Sequence, residues 1–302
     1  MSAADSEEKR SEARNWTVSE ALTWTTDYFT RKAVENPRRS AEWLLSAATG
    51  LSRLELYAHF DRPLTPEERA TFRSAIERRA TGEPLQYVTG EVPFRHLVLN
   101  VRPGVFIPRP ETEVLVDTVL EYLEKAQVER PRVVDLCTGS GAIAVSLAYE
   151  RVGARVHATE IVGATAEIAR RNAGSAGVSE RLTVLEGDLF APLPESLRGA
   201  LDVVVSNPPY IPTADLADLP AEVAGFEPRV ALDGGPDGLD VVRRIAEEAV
   251  SWLKAGGLLA VEIDSTCAKE AALVLSRWYE RIEVRQDLTA RDRIAIGIRR
   301  EA

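Results

Sequence analysis

From residue 132 onward the chain alternates short apolar runs with amphipathic stretches, and this alternation limits the available folds more than any other property of the sequence. The runs at 132–136, 155–159, 182–186, 201–206 and 258–263 are short and rich in Val, Leu and Ala. Helical patterns begin at Ala142, near 164–173, near 239–253 and over 269–278. Strands that alternate with helices in this way predict a mostly parallel sheet with helices on both faces. The last two apolar runs, 281–286 and 293–298, have no helix between them. They predict a closing hairpin, with one antiparallel strand at or near the sheet edge.

The 302 residues exceed what one small core needs, and the N-terminal part has a different pattern. Capping boxes stand at Thr17–Glu20 and Ser52–Glu55. Asn36-Pro37 offers a cap followed by proline, and Thr65-Pro66-Glu67-Glu68 combines cap, proline and an acidic first turn. Four divisions follow: a flexible tail over 1–15, a helical bundle over 16–90, a β-hairpin linker over 91–110 and an α/β domain over 111–302. Arg69, Arg73, Arg78 and Arg79 on the last helix of the bundle read as a solvated face.

The net charge of -10 is divided unevenly, with -1 over residues 1–90 and -9 over the remainder. An acidic α/β domain argues against a broad grip on a phosphate backbone, so no direct nucleic-acid substrate is expected. Two cysteines cannot build a disulfide framework, and they point to a reducing, cytoplasmic setting. The polar N-terminus has no signal-peptide core, and no stretch is long enough to cross a membrane.

The chemistry gathers where the strands end. Asp135-Leu136-Cys137-Thr138-Gly139-Ser140-Gly141 closes the first strand of the sheet with glycines that allow a tight turn and close approach of a ligand to the backbone. Glu160 ends the next strand, where an acid can hold ribose hydroxyls. Asp188, after the third strand, can meet an adenine amino group, with Leu189 or Phe190 packing on the ring. A dinucleotide and an adenosyl compound such as S-adenosylmethionine both fit these positions.

Ser206-Asn207-Pro208-Pro209-Tyr210 ends the fourth strand. Two prolines fix the backbone more firmly than a turn requires, so the flanking amide and phenol are held in set directions. An amide or exocyclic amine is a poor nucleophile because its lone pair is delocalised. Acceptance of its two N–H groups by the Asn207 side chain and the Pro208 carbonyl, with Tyr210 packed over the planar group, would turn that lone pair toward an electrophilic methyl. Asn207, Pro208 and Tyr210 are therefore the candidate catalytic residues.

The order of 82–87 (G-E-P-L-Q-Y), 107–113 (I-P-R-P-E-T-E), 135–141, 206–210, 227–235 (E-P-R-V-A-L-D-G-G) and 291–293 (R-D-R) resembles the peptide chain release factor N5-glutamine methyltransferases, the PrmC/HemK family. The resemblance runs from about Val18 to the end. It implies a small all-α N-terminal domain that recognises the release factor, followed by a Rossmann-like, seven-stranded class I methyltransferase domain. It also implies S-adenosyl-L-methionine as cofactor, S-adenosyl-L-homocysteine as product, no metal, and methylation of the glutamine in the Gly-Gly-Gln loop of bacterial release factors 1 and 2. A monomer is expected. Asp135, Cys137, Thr138, Gly139, Ser140, Gly141, Glu160, Asp188, Leu189 and Asn207 are expected to hold the cofactor. Asn207, Pro208, Pro209 and Tyr210 are expected to hold the acceptor, with Pro108, Arg109 and Glu111 shaping its rim. The sequence departs from the family at Cys137, where glycine is usual, at Glu160, where aspartate is commoner, and at Asp264, where glycine is common.

Other readings stay open at this stage. Asn-Pro-Pro-Tyr is shared with adenine-N6 methyltransferases, which grip a flipped base, but no target-recognition domain is evident. A ribosomal-protein glutamine methyltransferase would use the same chemistry. A dehydrogenase would leave Asn-Pro-Pro-Tyr unexplained, and a non-catalytic scaffold would leave the intact glycine loop and Asn207 without a purpose.

Overall fold

The computed structural model describes residues 16–301, so the stretch expected as a tail lies outside the described residues. The chain divides into two compact units between Gly90 and Glu91.

The first unit is helical: α1 (Val18–Arg31), α2 (Pro37–Thr49), α3 (Arg53–Ala58), α4 (Pro66–Ala80) and α5 (Leu85–Thr89). The capping boxes at Thr17–Glu20, Ser52–Glu55 and Thr65–Glu68 all form, each satisfying two backbone donors at a helix start. Asn36 does not cap. Its backbone is left-handed (φ 48°), which turns its side chain to Glu35 and away from the helix. Val18, Phe29, Leu44, Leu45 and Leu56 form the centre of the core. Glu42 is buried there, and it accepts from Arg38 Nε (2.8 Å) and Arg53 Nε (2.6 Å), which offsets its desolvation.

The arginines of α4 are not one solvated face. Arg79 is buried and donates to the Glu83 carbonyl (2.8 Å). Arg78 pairs with the Glu83 carboxylate and donates to the Tyr87 carbonyl (3.0 Å). Both arginines hold the Gly-Glu-Pro-Leu-Gln-Tyr segment against α4. The carbonyls of that turn supply the acceptors that water would otherwise provide.

The second unit carries the sheet. Its strands are β3 (Arg132–Leu136), β4 (Arg155–Glu160), β5 (Leu182–Glu186), β6 (Leu201–Ser206), β7 (Leu253–Glu262), β8 (Tyr279–Gln286) and β9 (Asp292–Arg299), in the spatial order β5-β4-β3-β6-β7-β9-β8. The strands from β5 to β7 are parallel, and β9 runs antiparallel between β7 and β8. The antiparallel strand is thus second from the edge. Every residue of β6 is buried, which explains its unbroken apolar run. The chain builds outward from β3 to β5 and then returns to the other side of β3 with β6. The carboxyl ends of β3 and β6 therefore flank a topological switch point, where open α/β sheets bind ligands.

Helices α6 (Thr112–Lys125), α7 (Ala142–Glu150), α8 (Gly163–Ser175), α10 (Asp240–Trp252) and α11 (Ala268–Ser276) accompany the sheet, and a short α9 (Ala221–Phe226) lies in the connection after β6. Residues 91–110, expected as a linker, belong to this unit. Strands β1 (Glu91–Phe94) and β2 (Leu97–Asn100) form an antiparallel hairpin. Arg95 joins it to Glu150 and Asp117, and Asn172 of α8 accepts from the Asn100 backbone (2.8 Å). The Asn172 Nδ2 also donates to the Ser140 carbonyl (2.8 Å), so one side chain ties the hairpin to the glycine loop.

Candidate active site

The carboxyl ends of β3, β4, β5 and β6 open on one cavity. It is lined by Cys137, Thr138, Gly139 and Ser140 after β3, by Glu160 at the end of β4, by Asp188 and Leu189 after β5, and by Asn207 to Tyr210 after β6. Pro108, Thr112, Pro228 and Arg244 complete much of the wall. Asp135, Gly141, Arg109 and Glu111, expected in the site, do not line it.

Asp135 acts from beneath. It is fully buried, and its Oδ2 accepts from Thr138 Oγ1 (2.5 Å) and from the Ala144 backbone N–H (3.1 Å). Those bonds fix the turn between β3 and α7. Burial pushes its carboxyl up to about 7 against these hydrogen bonds, with the Glu160 charge adding to the rise. Gly141 sits at φ 85°, where an added Cβ would press on Ala169 and Val145 at 3.2 Å, so it allows α7 to pack against α8. Cys137 holds a left-handed backbone (φ 56°) in a loop that glycine would enter without strain. Its thiol is raised to about 12, chiefly by burial and then by the Glu160 charge, so it is a packing group with no nucleophilic character at neutral pH.

Glu160 is 8 % exposed and already serves the backbone: Oε2 accepts from Gly139 N–H (2.9 Å) and Oε1 from Val162 N–H (2.9 Å). It therefore joins the β3 loop to the β4 loop while keeping lone pairs toward the cavity. Burial raises its pKa. Asp188 accepts from Arg244 (2.7 Å) at the cavity mouth. Leu189 lines the cavity, whereas Phe190 turns inward to stack on Trp252 at 5.7 Å between centroids. Of the two, Leu189 is the one that faces the cavity.

On the opposite wall, Asn207 Nδ2 donates to Thr112 Oγ1 (3.2 Å) and the Tyr210 hydroxyl donates to Glu262 Oε1 (3.2 Å). Both polar tips thus point into the protein, and the Asn207 oxygen and the Tyr210 ring are left for the cavity. Glu262 ends β7 and is 1 % exposed. Burial lifts its carboxyl to about 7, while Thr112, Arg293 and Tyr210 pull the other way. The Tyr210 hydroxyl is pushed well above its ordinary value by burial and by the Glu262 charge, so it stays protonated.

The segments at 107–113 and 227–235 meet at this wall. The Glu227 carboxylate is 1 % exposed and pairs with Arg109, whose guanidinium also lies 4.9 Å over the Phe106 ring. Arg109 therefore braces the rim from behind. Gly234 packs on the Asn-Pro-Pro-Tyr backbone so tightly that a Cβ there would meet the Pro209 carbonyl and Tyr210 Cα at 2.8 Å. The Ile211 N–H donates to the Leu232 carbonyl (2.9 Å), and the Gly234 N–H to the Ile211 carbonyl (2.8 Å), completing the brace. Arg293, from the 291–293 segment, lies behind the rim, beside Asp287 (3.5 Å) and near Glu262. Thr112, Glu262 and Arg244 were not singled out in the sequence as site residues.

The chain matches the model of the PrmC N-terminal domain over residues 20–90 and that of the methyltransferase small domain over 97–219. It is 46% identical over 262 residues to a release factor glutamine methyltransferase from Geobacter sulfurreducens, covering 87% of this chain and 89% of that one. It is 47% identical to the enzyme of the same name from Moorella thermoacetica, covering 89% and 93%. The chain belongs to the release factor glutamine methyltransferase family. Among solved structures, a 16S rRNA N2 methyltransferase from T. thermophilus, in complex with AdoMet and guanosine, superposes with a TM-score of 0.54 at 21% identity, over 70% of this chain and 50% of that one. That likeness extends to the fold alone, a Rossmann-like methyltransferase sheet. Family membership also accounts for the pairing of a helical first unit with such a sheet. Among the described residues no helix is long and apolar enough to cross a membrane.

Proposed function

We propose that this protein transfers a methyl group from S-adenosyl-L-methionine to the side-chain amide nitrogen of the glutamine in the Gly-Gly-Gln loop of bacterial release factors 1 and 2. The observation that carries this reading is the Asn207 amide, whose donor end is occupied by Thr112 and whose acceptor end is left for the cavity. It stands across that cavity from the β3, β4 and β5 loops.

The residues present fit an adenosyl cofactor. Ser140 Oγ is buried without a hydrogen-bond partner, Glu160 retains acceptor capacity, and Leu189 and Ile161 supply apolar surface. In this reading Cys137 to Ser140 hold the cofactor's amino-acid portion, Glu160 its ribose, and Asp188 with Leu189 its base. The cofactor, when bound, supplies an electrophilic methyl on a sulfonium. Asn207 Oδ1 and the Pro208 carbonyl accept the two N–H groups of the glutamine amide and oppose delocalisation of its lone pair. Pro209 keeps that carbonyl in place, and the Tyr210 ring covers the amide plane. Such contacts act through position and preorganised polarity, and no strong base is needed during transfer. The methylated nitrogen is acidic enough to lose its proton to water afterwards. Pro108 forms part of the acceptor wall, and residues 16–90 recognise the release factor away from the reacting loop. The reading further places the protein in the cytoplasm, as a monomer that uses no metal.

Transfer of labelled methyl to purified release factor, with RNA and DNA as parallel acceptors, tests this. Label on the loop glutamine is the expected result. Label on nucleic acid alone, or on a carboxylate or lysine, refutes it.

A further inference from the structure

The Asn207 carboxamide has a donor end and an acceptor end of nearly equal shape, and only the acceptor end suits an incoming N–H. Its Nδ2 donates to Thr112 Oγ1 at 3.2 Å. A hydroxyl can accept or donate, so Thr112 alone would tolerate either orientation of the amide. Glu262 removes that freedom. Its carboxyl is buried beside the Thr112 hydroxyl, Oε1 accepts from the Tyr210 hydroxyl (3.2 Å), and Oε2 is buried without a hydrogen-bond partner among the described residues. A buried carboxyl oxygen with free lone pairs attracts the one hydrogen bond that the Thr112 hydroxyl can donate.

We propose that Glu262 and Thr112 are positioning residues for Asn207: the Glu262 carboxyl group accepts a hydrogen bond from the Thr112 hydroxyl, Thr112 is left only able to accept from Asn207, and the Asn207 oxygen is thereby locked toward the cavity. The same carboxyl group holds the Tyr210 hydroxyl inward, so both ends of the Asn-Pro-Pro-Tyr turn are referenced to one buried carboxyl at the end of β7. Neither residue needs to touch the acceptor to do this. The inference rests on the methyl-transfer reading for its catalytic consequence but not for its geometry, and the two are tested separately.

The geometric test uses full-length protein labelled with nitrogen-15, with the Asn207 side-chain signals assigned by their loss in Asn207→Ala. Thr112→Val, which keeps the shape and removes the hydroxyl, should speed exchange of those amide protons about tenfold, the equilibrium factor of one neutral hydrogen bond. Thr112→Ser should restore the slow exchange. For catalysis, Thr112→Val should lower kcat on release factor about tenfold with affinity for S-adenosylhomocysteine unchanged, and Thr112→Ser should stay close to the parent. In an Asn207→Ala background Thr112→Val should add no further loss, because residues acting through one group are not additive. Unaltered amide exchange in Thr112→Val, kcat within about twofold of the parent, or an equal further loss in the Asn207→Ala background overturns the proposal. Absence of any methyl transfer by the parent protein refutes the functional reading instead, and amide exchange then decides the positioning role by itself.

Discussion

Asp135→Asn should flatten the pH dependence of stability. Asp135 is fully buried beneath the glycine loop, with Oδ2 engaged by Thr138 and Ala144 and Oδ1 left without a partner. Burial is the main reason its carboxyl sits at about 7 when the ordinary value is 3.8. Between those values the folded chain holds a proton that the unfolded chain has released. The contribution of Asp135 is therefore fully present below pH 3.8 and is lost as pH rises through about 7. The span from 3.8 to about 7, at about 1.4 kcal/mol per pH unit, amounts to roughly 4 kcal/mol. Asparagine keeps an oxygen for Thr138 and Ala144 but cannot titrate. Urea unfolding of both proteins at intervals from about pH 4.5 to 8.5 measures the effect. The difference, parent minus variant, should fall with a slope approaching -1.4 kcal/mol per pH unit in the middle of the range. Glu262, also raised to about 7, is present in both proteins and cancels. Parallel curves, or a difference that grows with pH, would show that Asp135 is not desolvated as its position requires.

Asn207→Ala should leave the fold and the affinity for S-adenosylhomocysteine intact and lower kcat by ~10²–10³, the usual loss for one preorganised polar contact; near-normal turnover contradicts the assigned role. Glu227→Gln weakens the brace to Arg109, and it should raise KM for release factor more than it raises the dissociation constant for S-adenosylhomocysteine, as calorimetry beside steady-state kinetics can show. Gly234→Ala places a methyl against the Pro209 carbonyl at 2.8 Å, and the displaced turn should lose turnover while the sheet still unfolds cooperatively in urea. A protein lacking residues 1–90 should bind S-adenosylhomocysteine as the full chain does yet methylate release factor poorly; equal rates on release factor from a folded truncation would give that unit another purpose.

The sheet was legible because β3, β6 and β7 are buried on both faces and so read as continuous apolar runs. The left-handed positions at Gly139 and Gly141 likewise mark the end of β3. Three things were not legible. The five residues of α5 are too few to show a helical period, and they follow a proline that reads as a break. Arg79 looked solvated because it is held by a backbone carbonyl, that of Glu83, which leaves no trace in side-chain patterns. Thr112, Glu262 and Arg244 reach the site from 95, 52 and 56 residues away from their partners, and spacing arguments do not extend that far. The strand ends could be read as a site, but the residues that orient it belong to elements that only the fold brings together.

The proline rings along the acceptor wall have a consequence for selectivity. Pro108, Pro208, Pro209 and Pro228 all line the cavity, and none of them has a backbone N–H. The one side-chain amide on that wall has its N–H turned to Thr112, and the one phenol has its proton turned to Glu262. This surface is rich in lone pairs and poor in protons. In the proposed function a glutamine amide would meet it with two N–H groups and be satisfied. A glutamate in the same position would bring lone pairs against the lone pairs of Asn207 and the proline carbonyls. A site built to receive hydrogen-bond donors excludes an analogue lacking them by factors on the order of 10⁴. A wall used in that way would distinguish an amide from its deamidated counterpart by scarcity of protons, with no need to measure size.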